Sequence, residues 1–380
     1  MISNASTAAR TVDTRLSNSI AIARVICILG VVYVHAWTGR TGEELTAMAS
    51  WQEGLRWALM EGLGKSAVPL LGIVSGWLVA RSSRARDWRG HVAVKARTIL
   101  LPMVAWNIIA ILLVSGAALL FHLKAPVPVS LEWVAQEVLL LTRNPDINVQ
   151  MPFLRDLFLC MLAAPLLLRL PGKALAAIGL GAALCSVVGW GQPLLLRPII
   201  LFFFTLGMLA QRGGWAQRVA AMPYAMAVAP FLLLLPVKVG FSFPALTSMV
   251  LDPSAMAAFD LAMRLAAALA FWRTAWALAG SGAASALLGV ERYAFFLFCS
   301  HLIFIWLLGP VIGGMTGPLG APAYPMFLLL QPLLVLGASM AVGTALARLW
   351  PSAATLLSGG RLGSAPPRER PRAVAFADGR

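Results

Sequence analysis

The stretch Ser19-Ile-Ala-Ile-Ala-Arg-Val-Ile-Cys-Ile-Leu-Gly-Val-Val-Tyr-Val-His-Ala-Trp37 decides the fold class. It is close to the roughly 20 apolar residues that a membrane-crossing helix needs, yet it carries Arg24 and His35. An α-helix turns about 100° per residue, so eleven steps bring His35 back to within roughly 20° of Arg24, about 16 Å further along the axis. The two polar groups share one stripe at two depths. Placing them in a membrane-length helix costs on the order of a few kcal/mol, so such residues usually face a protein-lined cavity and mark function. The competing reading is an arginine that snorkels to the headgroups and a histidine hydrogen-bonded to a neighbouring helix.

The rest of the chain extends the same pattern. It is 59% hydrophobic and 12% charged, with mean hydropathy +0.81, so its apolar surface exceeds what one soluble core can hide. Apolar runs of spanning length recur near 19–38, 62–80, 97–121, 151–170, 173–190, 195–211, 222–240, 258–279, 290–309 and 325–349. The expected fold is an all-α polytopic membrane protein with about ten transmembrane helices.

Lys and Arg set the expected orientation. With the N-terminus cytoplasmic, the inward segments carry Arg10 and Arg15, then Arg81, Arg84, Arg86, Arg89, Lys95 and Arg97. Arg169, Lys173, Arg212, Arg218, Arg273, Arg292 and the tail from Arg348 follow. The outward segments hold Glu43, Glu44, Glu53, Glu132, Glu137, Asp146 and Asp252. Both termini are therefore expected inside. The net charge of +15 is explained by orientation and attraction to anionic lipid, so no nucleic-acid partner is called for.

The first apolar run is interrupted by Arg24 and lacks a small-residue cleavage site, so it is expected to stay in the mature protein. Residues 1–18 form a cytoplasmic segment, 19–350 the transmembrane domain, and 351–380 a Pro/Gly/Arg-rich tail expected to be disordered and to carry no chemistry. Cys27, Cys160, Cys185 and Cys299 lie in apolar runs without metal-ligand spacing, which points to buried free thiols. No metal site is expected.

A second informative stretch is Val68-Pro-Leu-Leu-Gly-Ile-Val-Ser-Gly-Trp-Leu-Val-Ala-Arg-Ser-Ser-Arg84. Ser75 and Gly76 allow close backbone approach within a membrane. Arg81 and Arg84 stand about one turn apart at the helix end, with Lys95 and Arg97 following. A positive-inside loop looks similar, but guanidinium pairs also hold phosphates, as a polyphosphorylated cytosolic ligand would require.

These residues resemble a family. Arg24-x10-His35, the Ser-Gly-aromatic-Leu core from Pro69 to Leu78, and the Arg81/Arg84 pair look like the integral-membrane acyltransferase-3 family. So do Lys95-Ala-Arg-Thr-Ile-Leu-Leu-Pro-Met-Val-Ala-Trp106, Pro152-Phe-Leu-Arg-Asp-Leu-Phe158, Phe202-Phe-Phe-Thr-Leu-Gly-Met208 and Arg292-Tyr-Ala-Phe-Phe-Leu-Phe-Cys-Ser-His-Leu302. The matches keep their order over about residues 15–350. Two positions depart from the family pattern: Pro152 replaces the usual Trp before Phe-Leu, and Leu302 replaces the common Pro after the late His.

The resemblance implies an enzyme of the bacterial inner membrane, an O-acyltransferase that takes an acetyl or succinyl group from cytoplasmic acyl-CoA. The acceptor it implies is a hydroxyl of an exopolysaccharide, its lipid-linked precursor or another glycan. Acyl-CoA is then a co-substrate, with no tightly bound cofactor, and the partners are the bilayer, the donor and a carbohydrate. Such transfer needs a base, a phosphate site and stabilisation of an oxyanion. His35 fits the base, or a nucleophile that forms an acyl-imidazole. Arg24, Ser75, Arg81, Arg84 and Arg97 fit the donor site.

Arg155, Asp156 and His301 are further cavity candidates, with local ion pairing or helix bridging as the alternatives. Glu61/Lys65 and Asp260/Arg264 have the i,i+4 spacing of helix-supporting salt bridges. His91 and His122 are assigned no role. Two other functional classes fit the composition: a secondary transporter or glycan flippase, which also uses intramembrane charge, and a noncatalytic membrane subunit.

Overall fold

Glycine decides how the first two long helices meet. α1 runs from Ile2 to Val34 and α2 from Trp51 to Arg81. A β-carbon at Gly30 would overlap the Leu63 carbonyl, and one at Gly64 would press on Val34 at 3.1 Å from its backbone nitrogen. In lipid no hydrophobic force separates helix from helix, so close backbone approach through small residues supplies the packing. α2 widens into a π-helical turn over Ala58–Lys65, and Ser66 Oγ donates to the Glu61 carbonyl five residues back at 2.6 Å. Such wide turns occur often at functional sites; this one carries Lys65 to the end of α1.

The structure, a computed structural model, describes residues 2–35, 51–190, 194–243 and 252–363, and their side chains apart from those of 2–13, Arg84 and Arg86. The Arg84 and Arg10 side chains, Trp37, Glu43, Glu44 and the tail beyond 363 therefore lie outside the described residues.

After α2 a short 3-10 turn, Ser83–Arg86, leads into α3, Trp88–Phe121, and α4, Leu131–Leu139. Next come α5, Pro152–Leu167, α6, Gly172–Val187, α7, Ile199–Arg212, and α8, Trp215–Ala221. The chain continues with α9, Tyr224–Gly240, α10, Pro253–Leu278, α11, Ala284–Thr316, α12, Tyr324–Leu349, and α13, Pro351–Leu357. No strand forms among the described residues.

A helix occupies each of the ten stretches expected from the sequence. Six are long and apolar enough to cross a membrane, or seven if α7 and α8, bent by 82°, make one span. Length explains why the count falls below ten. α5, α6 and α9 have 16, 16 and 17 residues, about 24–26 Å at 1.5 Å per residue, against a hydrocarbon core about 30 Å thick. Exposed apolar side chains such as Leu120, Leu233 and Val311 give the bundle an outer surface that requires lipid as its solvent.

Gly72-Ile-Val-Ser-Gly76 in α2 is a Gly-x-x-x-Gly face against α7. A β-carbon at Gly76 would overlap the Phe204 carbonyl, one at Gly207 would overlap the Ile73 carbonyl, and one at Gly72 would sit 3.0 Å from Phe203 Cβ. The contact is thus reciprocal, which is why the sequence needs small residues on both helices. α1 is enclosed by α2, α10, α11 and α12, with Tyr33 donating to the Leu329 carbonyl of α12 at 3.1 Å. The Arg24/His35 stripe therefore runs through the interior of the bundle.

Candidate functional site

His35 ends α1, its backbone N–H donating to the Val32 carbonyl at 3.2 Å. Its ring lies 5.4 Å from that of His301 on α11, tilted by 36°. His301 is fully buried. Its Nδ1 reaches the Phe298 carbonyl at 2.8 Å; because a carbonyl only accepts, Nδ1 carries the proton and Nε2 is left as an acceptor. That Nε2 is buried and has no hydrogen-bond partner among the described residues, a costly state for a polar atom with no task.

His35 opens into a cavity of about 810 Å³ whose lining includes Lys65, Arg143, Arg197 and Arg264 and, among the described residues, no carboxylate. Asp156 builds one wall from behind. Its carboxylate is fully buried, accepts from Arg155 Nη1 at 2.6 Å, and also accepts from the backbone N–H of Leu196 at 3.3 Å and Arg197 at 2.6 Å. Arg155 in turn donates to the carbonyls of Leu194 and Leu141 at 2.9 and 3.0 Å. The pair pins two loops together, so Arg155 and Asp156 form the ion-pair network and are not part of the cavity lining.

That network presents Arg197, whose Nη2 donates to the Val149 carbonyl at 3.0 Å. Arg197 and His301 are close enough to interact electrostatically with His35. Lys65 is paired with Glu61 at 2.7 Å, as its spacing predicts, and Arg143 lies 3.6 Å from Asp146. Arg264 has no ion-pair partner among the described residues. The expected Asp260/Arg264 pair does not form: Asp260 is taken by Lys238 at 2.7 Å, a partner that the packing of α9 on α10 supplies and local spacing does not encode.

A second cavity, about 760 Å³, surrounds Arg24 with Ser75, His91, Lys95, Glu291 and Arg361. Arg24 Nη1 pairs with Glu291 at 3.2 Å, and both side chains stay about a third exposed, 34% and 27%. Ser75 Oγ donates to the Leu71 carbonyl at 2.7 Å, so its hydroxyl is partly committed to its own helix. His91 is buried against the Met161 carbonyl at 3.1 Å, a wall role that its place in a basic loop does not reveal. Arg81 lies over the Trp77 ring at 5.4 Å and Arg97 is exposed; neither lines the cavity.

The two cavities have two lining residues in common, Phe153 of α5 and Phe298 of α11, with ring centroids 5.7 Å apart. Arg24 therefore belongs to one chamber and His35 to the other, with an aromatic wall between them. Of the expected site residues, His35 lines the first cavity and Arg24 and Ser75 the second, whereas His301 lies 5.4 Å from the His35 ring and lines neither. Lys95, expected within the basic cluster after α2, does line the second cavity; Arg197, Arg264 and Arg361 were not expected as lining residues, because their placement depends on loops and cross-helix contacts, and their one sequence signal is a cation close to an apolar run.

This arrangement suits group transfer between ligands approaching from two sides: an imidazole backed by a second histidine at one chamber, and a cation cluster in the other. The chain is 26% identical over 377 residues to the succinoglycan biosynthesis protein ExoH of Rhizobium meliloti (strain 1021), covering 93% of this chain and 94% of that protein. No solved structure gives a significant match. The profile of the acyltransferase-3 family, described as an acyltransferase domain, matches residues 17–348 and so takes in the stripe, the Phe153/Phe298 wall and every long helix but the start of α1 and the last residue of α12: this integral membrane protein belongs to the acyltransferase-3 family.

Proposed function

We propose that the protein is a membrane O-acyltransferase that moves a succinyl group from cytoplasmic succinyl-CoA to a hydroxyl of an exopolysaccharide or its lipid-linked precursor. The observation that carries this reading is the shared aromatic wall, which sets the Arg24 and His35 chambers back to back. The Lys/Arg asymmetry turns the Arg24 chamber, and both termini, toward the cytoplasm. Donor phosphates then meet Arg24 and Lys95, while the acceptor enters the His35 chamber from the other side. A relative named for succinoglycan biosynthesis supports a polysaccharide acceptor. Succinyl is preferred to acetyl because four cations line the His35 chamber and, among the described residues, no carboxylate does, which favours a group with a terminal carboxylate.

In this reading neutral His35 takes the proton of the acceptor hydroxyl as the oxygen attacks the thioester carbonyl carbon. A carbon–oxygen bond forms and the carbonyl oxygen becomes an oxyanion within the field of Arg197. Collapse breaks the carbon–sulfur bond, and the CoA thiolate leaves with the proton that His35 had taken. Ester and free thiol result, and His35 is neutral again. His301 acts as a positioning residue: its Nε2 accepts from the imidazolium of His35, as a fixed acceptor orients a catalytic histidine elsewhere.

The test supplies purified protein in liposomes with radiolabelled succinyl-CoA or acetyl-CoA and a glycan acceptor. Label is expected in the glycan, more from succinyl-CoA than from acetyl-CoA. Movement of glycan across the bilayer without any CoA requirement would instead identify a transporter.

A further inference from the structure

Residues 351–363 follow the part of the chain matched by the family, which ends at 348, and their composition is that of a linker. They are nevertheless folded against the bundle. Trp350, extended at φ −144°, breaks α12, and α13 then packs beneath α3, burying Ala354, Leu357 and Ser358. Trp106 of α3 donates through Nε1 to the Leu357 carbonyl at 2.9 Å.

The chain next reverses on Gly359 and Gly360, with φ of 59° and 90°, values that L side chains rarely adopt. A β-carbon at Gly359 would also overlap the Thr98 carbonyl of α3. Leu362 N–H closes the turn on Ser358 Oγ at 2.9 Å. Two glycines thus have a conformational task here, and its product is the placement of Arg361.

Arg361 enters the Arg24 chamber. Its guanidinium lies 4.4 Å over the Phe295 ring and donates from Nη1 to the Ser358 carbonyl at 3.1 Å, while the residue remains exposed. Arg24, Lys95 and Arg361 are near enough to repel one another. The acids on the same lining are Glu291 and Asp87, fewer than the cations. A structural clip would explain the stacking on Phe295. It would not explain why the clip brings a third cation to two others, an arrangement that an anionic ligand would relieve.

We propose that the segment 351–363 completes the donor site and that Arg361 binds a phosphate group of the acyl-CoA nucleotide. The proposal rests on the reading of acyl-CoA as donor, and its test separates the two. Transfer is measured for wild type, Arg361→Gln and Arg361→Lys with succinyl-CoA and with succinyl-pantetheine, which has the thioester but no nucleotide phosphates.

Arg361→Gln should raise the KM for succinyl-CoA roughly tenfold, as expected for loss of one charge-assisted contact, with kcat little changed. Succinyl-pantetheine should show the same KM in both proteins, and Arg361→Lys should recover part of the loss. If Arg361→Gln fails to fold, Phe295→Leu, which removes the ring beneath the guanidinium, should give the same donor-selective rise. An equal effect on both donors, or an unchanged KM for succinyl-CoA, overturns the phosphate role. Failure of wild type to use succinyl-CoA at all would overturn the donor reading instead.

Discussion

Phe153 and Phe298 pack with ring centroids 5.7 Å apart and line both chambers of the protein. If the acyl-CoA threads between these two rings so that its thioester meets His35, the rings pack around it and limit the water that reaches it, which suppresses hydrolysis of the donor. Phe298→Leu keeps an apolar side chain and thins the wall. Release of free CoA in the absence of acceptor should rise several-fold, roughly, in this variant. Unchanged CoA release together with unchanged transfer would show that the pair does not separate the two ligands.

Arg264 gives a test of the acyl group. It lines the His35 chamber without an ion-pair partner among the described residues. If it receives the terminal carboxylate of succinyl, Arg264→Ala should raise the KM for succinyl-CoA by about tenfold or more, the value of one charged hydrogen bond. The KM for acetyl-CoA should stay within about twofold. A parallel rise for both donors would place Arg264 on the acceptor or in the fold.

Asp156 is predicted to act through the scaffold. Asp156→Ala leaves Arg155 and two backbone N–H groups without their acceptor in a buried place. Removing one member of a buried ion pair costs about 3–5 kcal/mol. Thermal unfolding in detergent should show a large loss of stability, with Arg155→Ala less severe because its removal leaves a carboxylate still held by backbone donors. Equal stability of Asp156→Ala and wild type would remove the pinning role.

Glu137 supplies a pH dependence. It is buried at the end of α4 and accepts the N–H groups of Asp146 and Ile147, which shape the loop bearing Arg143 and Val149. Burial raises its carboxyl above the ordinary value, and the two N–H donors pull it back only in part. The folded form therefore holds this proton more tightly than the unfolded chain does. The contribution is fully present below the unfolded pKa and is lost as pH rises through the folded one. Glu137→Gln should flatten that part of the stability profile measured by thermal unfolding from acid to neutral pH. An identical profile in the variant would mean that Glu137 does not titrate in this range.

Much of the fold could be read because the bilayer simplifies the problem: apolar length alone marks helices, and each of the ten expected stretches contains one. The number of spans was harder, since Pro152, Pro171 and Pro223 start helices too short for their length to settle whether they cross. Arg24 and His35 were legible because eleven residues return to the same face of a helix. Arg81 and Arg97 do not line the chamber, for a related reason: a positive-inside rule counts cations near a helix end but says nothing of their direction. Arg197, Arg264 and Arg361 were illegible because a buried carboxylate, a competing Lys238 and a pair of left-handed glycines place them, and none of these acts through local spacing.

The most direct test of the account is succinyl transfer by His35→Ala, compared with wild type at equal folded protein in liposomes, with succinyl-CoA and glycan both saturating. A general base contributes about 10²–10⁴ in rate, so the account predicts a fall in kcat of at least about a hundredfold while succinyl-CoA still binds. Transfer by His35→Ala at the wild-type rate would contradict it.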